Sequence, residues 1–329
     1  MSTTETVPRT TEMQAIAVQE WGVADGLRAT TVPRPEPGPT EILVAVHAAG
    51  VNPVDWKSRA SGGFGIWGTP PILGYDVSGV VAAVGPGATL FAVGDEVFGM
   101  PRFPEQAGAY AEYVAAPSRR FAPKPAGLSH AEAAGLPLVG LTAWQALAEV
   151  ARVQPGQRVL IHAAAGGLGH VAVQVAKALG ATVIGTASAG KHELLRRLGA
   201  DELIDYGAVD FATATDPVDV VLDTIGGDYG ERSLAVLRDG GRLVSITGPD
   251  TPGPAVEAAA AARGIRTGWT LVEPDRHGLL ELARLVDEGR LRPEIAAILP
   301  LAEVDRAHAL GATNRTTGKI VLEVRGTTG

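Results

Sequence analysis

The feature that most constrains this chain is an alternation of strand-like and helix-like segments that begins near residue 129. Residues 159–165 read VLIHAAA, the apolar run of a buried strand. Residues 166–180 read GGLGHVAVQVAKALG, where apolar residues recur every three or four positions, as on one face of a helix. Further strand-like runs, TVIGTA, VDVVLDTIG and RLVSITG, alternate with helical ones. This alternation predicts a parallel, doubly wound sheet with helices on both faces.

The sequence on either side of this region has a different residue pattern. In the first third of the chain, glycine and proline separate short valine-rich runs such as ILVAVHAAGV, which is typical of a β-rich region with tight turns. Near the end, another short helix and a closing strand, GKIVLEV, are expected to return to that region. We therefore predict one domain over residues 1–128 plus 291–329 and a second over residues 129–290.

Composition excludes several classes of function. The formal charge is −8 with acids and bases interspersed, which disfavours a nucleic-acid partner. Cysteine is absent, which removes disulfides, thiol nucleophiles and zinc sites that need thiolate ligands. No run approaches ~18 apolar residues, so no membrane span is expected. The first residues lack the pattern of a secretory signal. We predict a cytoplasmic protein with a loose tail over residues 1–11.

The glycine-rich turn after the first strand of the alternation matches a dinucleotide-binding fingerprint. Ala164, Gly166 and Gly169 occupy its three glycine places. A position without a side chain at 166 would let the backbone approach a pyrophosphate, and one at 169 would let the helix pack closely on the strand. The helix N-terminus would offer free N–H groups to the phosphates. The predicted contacts are Ala165, Gly166, Gly167, Leu168 and Gly169.

The second strand of the alternation predicts which dinucleotide is bound. A site for NAD needs an acid about 20 residues beyond the turn, to hold the ribose 2′-OH. This strand continues TVIGTASAGKHE, with Ser188 and Lys191 near the expected place of that acid. A hydroxyl and an ammonium suit a 2′-phosphate, which a carboxylate would repel. The pattern favours NADPH, although Ser188 as a helix cap and Lys191 as a solvated residue remain alternatives.

Motifs spread over nearly the whole chain are typical of one family. They include AAGVNPVDWKSR, PPILGYDVSGVVAAVG, GAYAEYVAAP, HAAAGGLG and TTGKIVLEV. With these motifs the chain resembles the medium-chain dehydrogenase/reductase superfamily, in particular its zinc-free quinone oxidoreductase branch. The resemblance implies an α/β protein in which a GroES-like β-rich domain joins a Rossmann domain, with the active site in the cleft between them. It also implies a homodimer, for which GIRTGWTLV is the candidate edge strand.

The resemblance implies that no metal is bound. Zinc-dependent relatives have a Cys three residues before an Asp, whereas this chain has Asn52 before Asp55. The relatives place a proton-relay Ser or Thr beside that Asp, where this chain has Val54. Their Gly-His-Glu becomes Gly74-Tyr75-Asp76, and no ligand-type side chain occurs at 136–140, near the third ligand position.

The resemblance further implies a set of cofactor contacts. Thr142 would border the nicotinamide, Tyr206 would join the two residues predicted around the 2′-phosphate, and Asn314 would lie within reach of the cofactor. For Thr142 and Asn314, a plain helix start or turn is an alternative. The residues expected to line the pyrophosphate and nicotinamide ends are Thr224, Ile225, Ile246 and Thr247.

A site without a metal favours acceptors that are already electrophilic, such as quinones and alkenes conjugated to a carbonyl. Asn52 is the first candidate to stabilise negative charge on the acceptor oxygen, with a turn role before Pro53 as the alternative. Tyr75 could donate a hydrogen bond or a proton, or pack in the cleft. Asp55 is expected to orient its neighbours. Lys57 stands where many quinone reductases carry Tyr.

Three aromatic residues are candidates for a pocket wall suited to planar acceptors. They are Phe64, Trp67 and Trp269, for which a role as hydrophobic anchors is the alternative. The leading function is an NADPH-dependent quinone oxidoreductase. The second is an enoyl reductase, because HAAAGGLG followed by GTASAGK also resembles such domains of polyketide and fatty-acid synthases, and it would give Tyr75 or Lys57 a proton to deliver. The third is a non-catalytic NADPH-binding sensor.

Overall fold

The computed structural model describes residues 11–23 and 26–325. Most of the tail predicted at the amino terminus, residues 1–10, lies outside the described residues. The strands in chain order are β1 (Glu12–Val18), β2 (Leu27–Pro33), β3 (Glu41–Val51), β4 (Asp76–Val84), β5 (Glu96–Gly99), β6 (Tyr113–Pro117), β7 (Phe121–Pro123), β8 (Arg158–Ile161), β9 (Thr182–Ala187), β10 (Glu202–Asp205), β11 (Val218–Asp223), β12 (Leu237–Ser245), β13 (Arg266–Trp269), β14 (Ile295–Pro300) and β15 (Lys319–Glu323).

The helices connect these strands and cover their faces. They are α1 (Pro53–Ser61), α2 (His130–Ala134), α3 (Pro137–Trp144), α4 (Gly169–Ala178), α5 (His192–Arg197), α6 (Tyr229–Val236), α7 (Pro254–Ala261), α8 (Arg276–Asp287) and α9 (Val304–Ala312). The chain continues from α3 into a π-helical segment, Gln145–Val150. Across the described ranges, every helix falls short of the length and apolar character needed to span a membrane.

The first large sheet combines strands from both ends of the described chain. Its order is β14-β15-β3-β4-β5-β7, with β6 also paired to β3, while β1 and β2 form a separate antiparallel pair. The closing strand β15 runs antiparallel to β3 and places Ile320 opposite Val51. This is the return to the β-rich region that the sequence predicted.

The second sheet has the order β10-β9-β8-β11-β12-β13, and all its strands are parallel. Counted from β8, this is the 3-2-1-4-5-6 order of a Rossmann fold, which confirms the predicted α/β fold class. The topological switch lies between β8 and β11, and ligands of such sheets bind at the carboxyl ends of the strands beside the switch. The predicted glycine turn follows β8 directly.

Local sequence explains where helix α2, at the junction of the two sheets, begins. Helix α2 starts with a capping box, in which Ser129 Oγ accepts from the backbone of Glu132, whose carboxylate accepts in return from the backbone of Ser129. The same helix packs on the first sheet, since Ala134 is buried with Ala48 and Val321. The predicted division at residue 129 stays a prediction.

Candidate active site

The glycine turn shows why the sequence needs small residues between β8 and α4. A Cβ atom on Gly169 would lie 2.4 Å from the carbonyl oxygen of Ala163 and 2.6 Å from Cα of Ala164. A larger residue there would push the helix off the strand. The backbone N–H of Gly166 donates to the oxygen of Ala163 at 2.9 Å, which closes the turn. The start of α4 therefore lies directly over the carboxyl end of β8.

The loop before the closing strand β15 lies against this turn. The backbone N–H of Gly318 donates to the oxygen of Ala165 at 3.1 Å. A Cβ on Gly167 would lie 3.5 Å from the oxygen of Gly318 and 3.6 Å from Cδ of Lys319. The glycine turn of the second sheet and the closing strand β15 of the first sheet are thus in contact. Local periodicity carries no signal of this contact, because it joins segments far apart in the chain.

The residues predicted around a 2′-phosphate lie at and beyond the carboxyl end of β9. Ser188 is half-buried and Tyr206 is exposed. The Lys191 ammonium donates to the backbone oxygen of Arg315 at 3.0 Å, and its burial lowers the pKa of this lysine. The neighbouring Asn314 is exposed, and its φ of 54° is the left-handed conformation of a turn. A turn is the alternative to a cofactor contact that the sequence analysis gives for this residue.

Other predicted cofactor residues follow strands of the parallel sheet at the same edge. Thr224 follows β11, and its hydroxyl donates to the backbone oxygen of His162 at 2.8 Å, which ties together the ends of β11 and β8. Ile225 is exposed beyond the same strand, while Ile246 and Thr247 follow β12. Thr142 instead lies in α3, where its hydroxyl donates to the oxygen of Leu138 at 2.7 Å.

A buried polar network connects α1, β4 and β15 at the junction of the two sheets. The Asn52 side-chain N–H donates to Asp76 Oδ2 at 2.8 Å, and the Asn52 backbone N–H donates to Asp55 Oδ2 at 2.7 Å. The Lys319 ammonium donates to Asn52 Oδ1 and, at 2.8 Å, to the oxygen of Val51. Its nitrogen also lies 3.7 Å from Asp76 Oδ2. The Asn52 amide is thus held from both sides.

The electrostatics of this network follow from its burial. Burial raises the pKa of Asp55 to about 7. Burial also raises the pKa of Asp76, against the opposing effect of Lys319. Burial lowers the pKa of Lys319, which Asp76 opposes. The backbone N–H of Leu138 donates to Asp76 Oδ1 at 2.7 Å and so joins the network to α3.

The sequence prediction missed Lys319 and treated Asp76 only as a substitute for a ligand. One signal was present, since Lys319 begins a strand that continues with the apolar residues IVL. A lysine at that place is 2 % exposed here, and a buried ammonium requires a partner. Identifying the partner required the pairing of β15 with β3.

The predicted aromatic wall is divided in the structure. The Tyr75 ring is fully buried, 5.0 Å from the ring of Phe103 and 6.5 Å from that of Trp67, measured between centroids. Phe64 meets Phe103 edge-on at 5.6 Å and is partly exposed. Trp269 lies at the end of β13, opposite Ser245 of β12. Two of the three predicted residues therefore belong to one aromatic cluster with Tyr75.

Lys57 lies on α1 and is exposed, only two residues beyond the buried Asp55. The side chains at the positions of zinc ligands in the relatives do not form a set of zinc ligands. Asn52 Oδ1 already accepts from the Lys319 ammonium, which would repel a divalent cation. In the part of the chain that the structure describes, no group of three or more His, Cys, Asp or Glu side chains could hold a metal ion. The donor set does not fit zinc.

Comparison with known proteins agrees with this architecture. Residues 38–126 match the alcohol dehydrogenase GroES-like domain, and residues 198–322 match the domain described as zinc-binding dehydrogenase. The chain is 36% identical over 333 residues to the 2-methylene-furan-3-one reductase of Solanum lycopersicum, covering 98% of this chain and 81% of that protein.

Two further similarities extend the comparison. The quinone oxidoreductase of Coxiella burnetii superposes with a TM-score of 0.88 at 40% identity, over 95% of this chain and all of that one. Mycoketide-CoA synthase of Mycobacterium tuberculosis is 38% identical over 325 residues, which are 93% of this chain but span only 8% of that protein.

Fold, site and relatives define an oxidoreductase that uses a nicotinamide cofactor. The chain belongs to the medium-chain dehydrogenase/reductase superfamily.

Proposed function

We propose that this protein is an NADPH-dependent, zinc-independent reductase of electrophilic conjugated carbonyl compounds, with quinones as the leading class of acceptor. The observation that carries the proposal is the Asn52–Asp76–Lys319 hydrogen-bonded network, in which Asn52 stands where zinc-dependent relatives have their first cysteine ligand. Without a Lewis acid, the acceptor must already be electrophilic. Quinones and conjugated alkenes meet that requirement.

The residues present fit a phosphorylated dinucleotide. The turn at 165–169 would bind the pyrophosphate at the start of α4, and Lys191 with Ser188 would hold the 2′-phosphate. When bound, the nicotinamide supplies a hydride to the acceptor. Lys319 and Asp76 orient the Asn52 amide, whose second N–H would stabilise negative charge on the acceptor oxygen. The Tyr75 hydroxyl, which is buried and has no hydrogen-bond partner among the described residues, is the first candidate for the proton donor.

The first experiment follows the oxidation of NADPH and NADH with an ortho-quinone, a 2-enal and an enoyl thioester offered separately. We expect rapid NADPH oxidation with the quinone and little with NADH. Lys191→Ala should raise KM for NADPH about ten- to a hundredfold, since a hydrogen bond to a charged group contributes about 1.5–3 kcal/mol. KM for NADH should not change. Equal use of NADPH and NADH by the unmodified enzyme would contradict the assignment of the 2′-phosphate site.

The alternative function is an NADPH-dependent enoyl reductase. The similarity to the 2-methylene-furan-3-one reductase favours it, as does the similarity to one short part of Mycoketide-CoA synthase. Turnover of the 2-enal or the thioester without the quinone would select this function. Tyr75→Phe and Lys57→Met would then identify the proton donor. NADPH binding without turnover of any of the three acceptors would favour a sensor.

We also propose that the protein is a cytoplasmic homodimer that pairs through β13. This strand is the last in the order of the parallel sheet and is hydrogen-bonded to β12 on one side. Its other edge carries backbone groups that a second copy could pair. Thr267→Pro would remove one strand N–H and should yield monomers in light scattering. A dimer that persists in this variant would place the interface elsewhere.

A further inference from the structure

The loop that follows α1 carries two of the aromatic residues predicted for a pocket wall, Phe64 and Trp67. Residues 62–72 read GGFGIWGTPPI, and three of the four glycines have positive φ. Residues 63–66 are exposed, whereas Trp67 is half-buried. Glycine restricts the backbone less than any other residue, so this stretch has little conformational preference of its own. Holding Trp67 in one position therefore requires contacts from outside the loop.

Gln106 supplies such contacts on both sides of Trp67. Its backbone N–H donates to the oxygen of Ile66 at 3.1 Å. Its side-chain oxygen, Oε1, accepts from the backbone N–H of Gly68 at 3.0 Å and from that of Ile72 at 3.0 Å. An amide oxygen has two lone pairs, so Oε1 can accept both hydrogen bonds. Gln106 is thus bonded to the residue before Trp67, to the residue after it and to the end of the loop.

The Trp67 side chain has contacts that depend on this backbone position. Its indole N–H donates to the oxygen of Gly62 at 2.7 Å, which closes the loop on itself. Its ring centroid lies 5.4 Å from that of Trp21 and 6.5 Å from that of Tyr75, with interplanar angles of 42° and 45°. The half-buried indole is therefore placed between one packed neighbour and the fully buried Tyr75 ring.

The segment that contains Gln106 also completes the aromatic cluster. The ring centroid of Phe103 lies 5.0 Å from that of Tyr75 and 5.6 Å from that of Phe64, with interplanar angles of 78° and 89°. Residues 103–106 therefore supply both an aromatic neighbour of Tyr75 and the hydrogen bonds that hold the loop. Aromatic rings pack well against a planar ring, edge-on or with an offset. A cluster of this kind suits an acceptor that contains a ring.

We propose that Gln106 is a positioning residue, which sets the affinity for ring-containing acceptors by fixing Trp67 beside Tyr75. This inference rests on the proposed reductase function, with a quinone as the acceptor. Gln106 acts through the backbone on either side of Trp67 and needs no contact with the acceptor. An indole that is already fixed can bind a planar ring directly, whereas a mobile indole must be ordered during binding, which weakens affinity.

Two substitutions separate the hydrogen bonds of Gln106 from the volume of its side chain. Gln106→Met keeps a similar volume and removes the oxygen that accepts from Gly68 and Ile72. Gln106→Glu keeps an oxygen at that place. Gln157→Met is the matched control, because the side-chain oxygen of Gln157 also accepts a backbone N–H, from Gln154 at 2.9 Å, but does so at the amino end of β8.

The direct test uses the protein without cofactor or acceptor. In Gln106→Met, hydrogen exchange measured by mass spectrometry should be about tenfold faster in peptides covering residues 66–72, because two backbone N–H groups lose their acceptor. The near-ultraviolet circular dichroism of tryptophan should weaken, because this signal requires indoles in a fixed environment. Gln106→Glu and Gln157→Met should leave both measurements unchanged. Unchanged exchange and an unchanged spectrum in Gln106→Met would overturn the proposal.

Kinetics with the ortho-quinone test the effect on affinity. Gln106→Met should raise KM for the quinone about tenfold with nearly unchanged kcat, as when an interaction made equally in the ground and transition states is lost. KM for NADPH should not change, and KM for the 2-enal, which has no ring, should change much less. Gln106→Glu should restore the KM of the unmodified protein.

The outcomes separate this proposal from the proposed function. A KM for the quinone that is unchanged in Gln106→Met, or that rises equally in Gln106→Glu, would overturn the role of Gln106 while leaving the reductase function intact. Absence of turnover of the quinone by the unmodified protein would instead refute the proposed function. Hydrogen exchange would still decide whether Gln106 holds the loop.

Discussion

Replacing Lys319 by methionine tests the buried network most directly. Methionine fills a similar volume but removes the ammonium that contacts Asn52 Oδ1 and the oxygen of Val51 and that faces Asp76. The Asp76 carboxylate would keep its two N–H donors and lose its counter-charge. Removing one partner of a buried ion pair costs about 3–5 kcal/mol. We expect Lys319→Met to lower the free energy of unfolding by that amount.

The assay is urea unfolding followed by circular dichroism at neutral pH. The matched control is Lys177→Met, which breaks an ion pair to Asp201 on the surface, where such pairs contribute about 0–1 kcal/mol. Adding Asp76→Asn to Lys319→Met should restore part of the loss, because no unpaired charge then remains. The loss should grow as the pH rises, since Asp76 must ionise without a counter-charge. A loss as small as that of Lys177→Met would refute the reasoning.

Three further predictions concern the turn, the buried histidines and the aromatic cluster. Gly169→Ala should cost about 1–3 kcal/mol and weaken NADPH binding, because its Cβ would overlap Ala163; an unchanged melting temperature and Kd would contradict this. Burial lowers the pKa of His162 to about 3 and that of His170 to about 4. Below about pH 6.5 only the unfolded state takes up these protons, so the free energy of unfolding should decrease as the pH falls, which unfolding measured at several pH values would show. Trp67→Ala should change the substrate profile, because Trp67 packs beside Tyr75; an unchanged profile would remove Trp67 from the pocket wall.

The parallel sheet and its turn were predictable because their signals are local. Apolar periods of two and of three to four residues identify strands and helices, and the spacing of Ala164, Gly166 and Gly169 identifies a strand–turn–helix connection. The need for glycine at 169 is confirmed by the contact its Cβ would make with Ala163. The roles of the predicted site residues in binding and catalysis stay predictions.

The amino-acid sequence alone determined the fold class, the turn and the residues from which a site could be built. The tertiary structure alone decided that Lys319 meets Asn52, 267 residues away, because this contact depends on the antiparallel register of β15 against β3. It also decided that both oxygens of the Asp76 carboxyl group accept hydrogen bonds, from Asn52 and from the backbone of Leu138. Long-range pairing and burial set charge balance, and neither can be read from a local pattern.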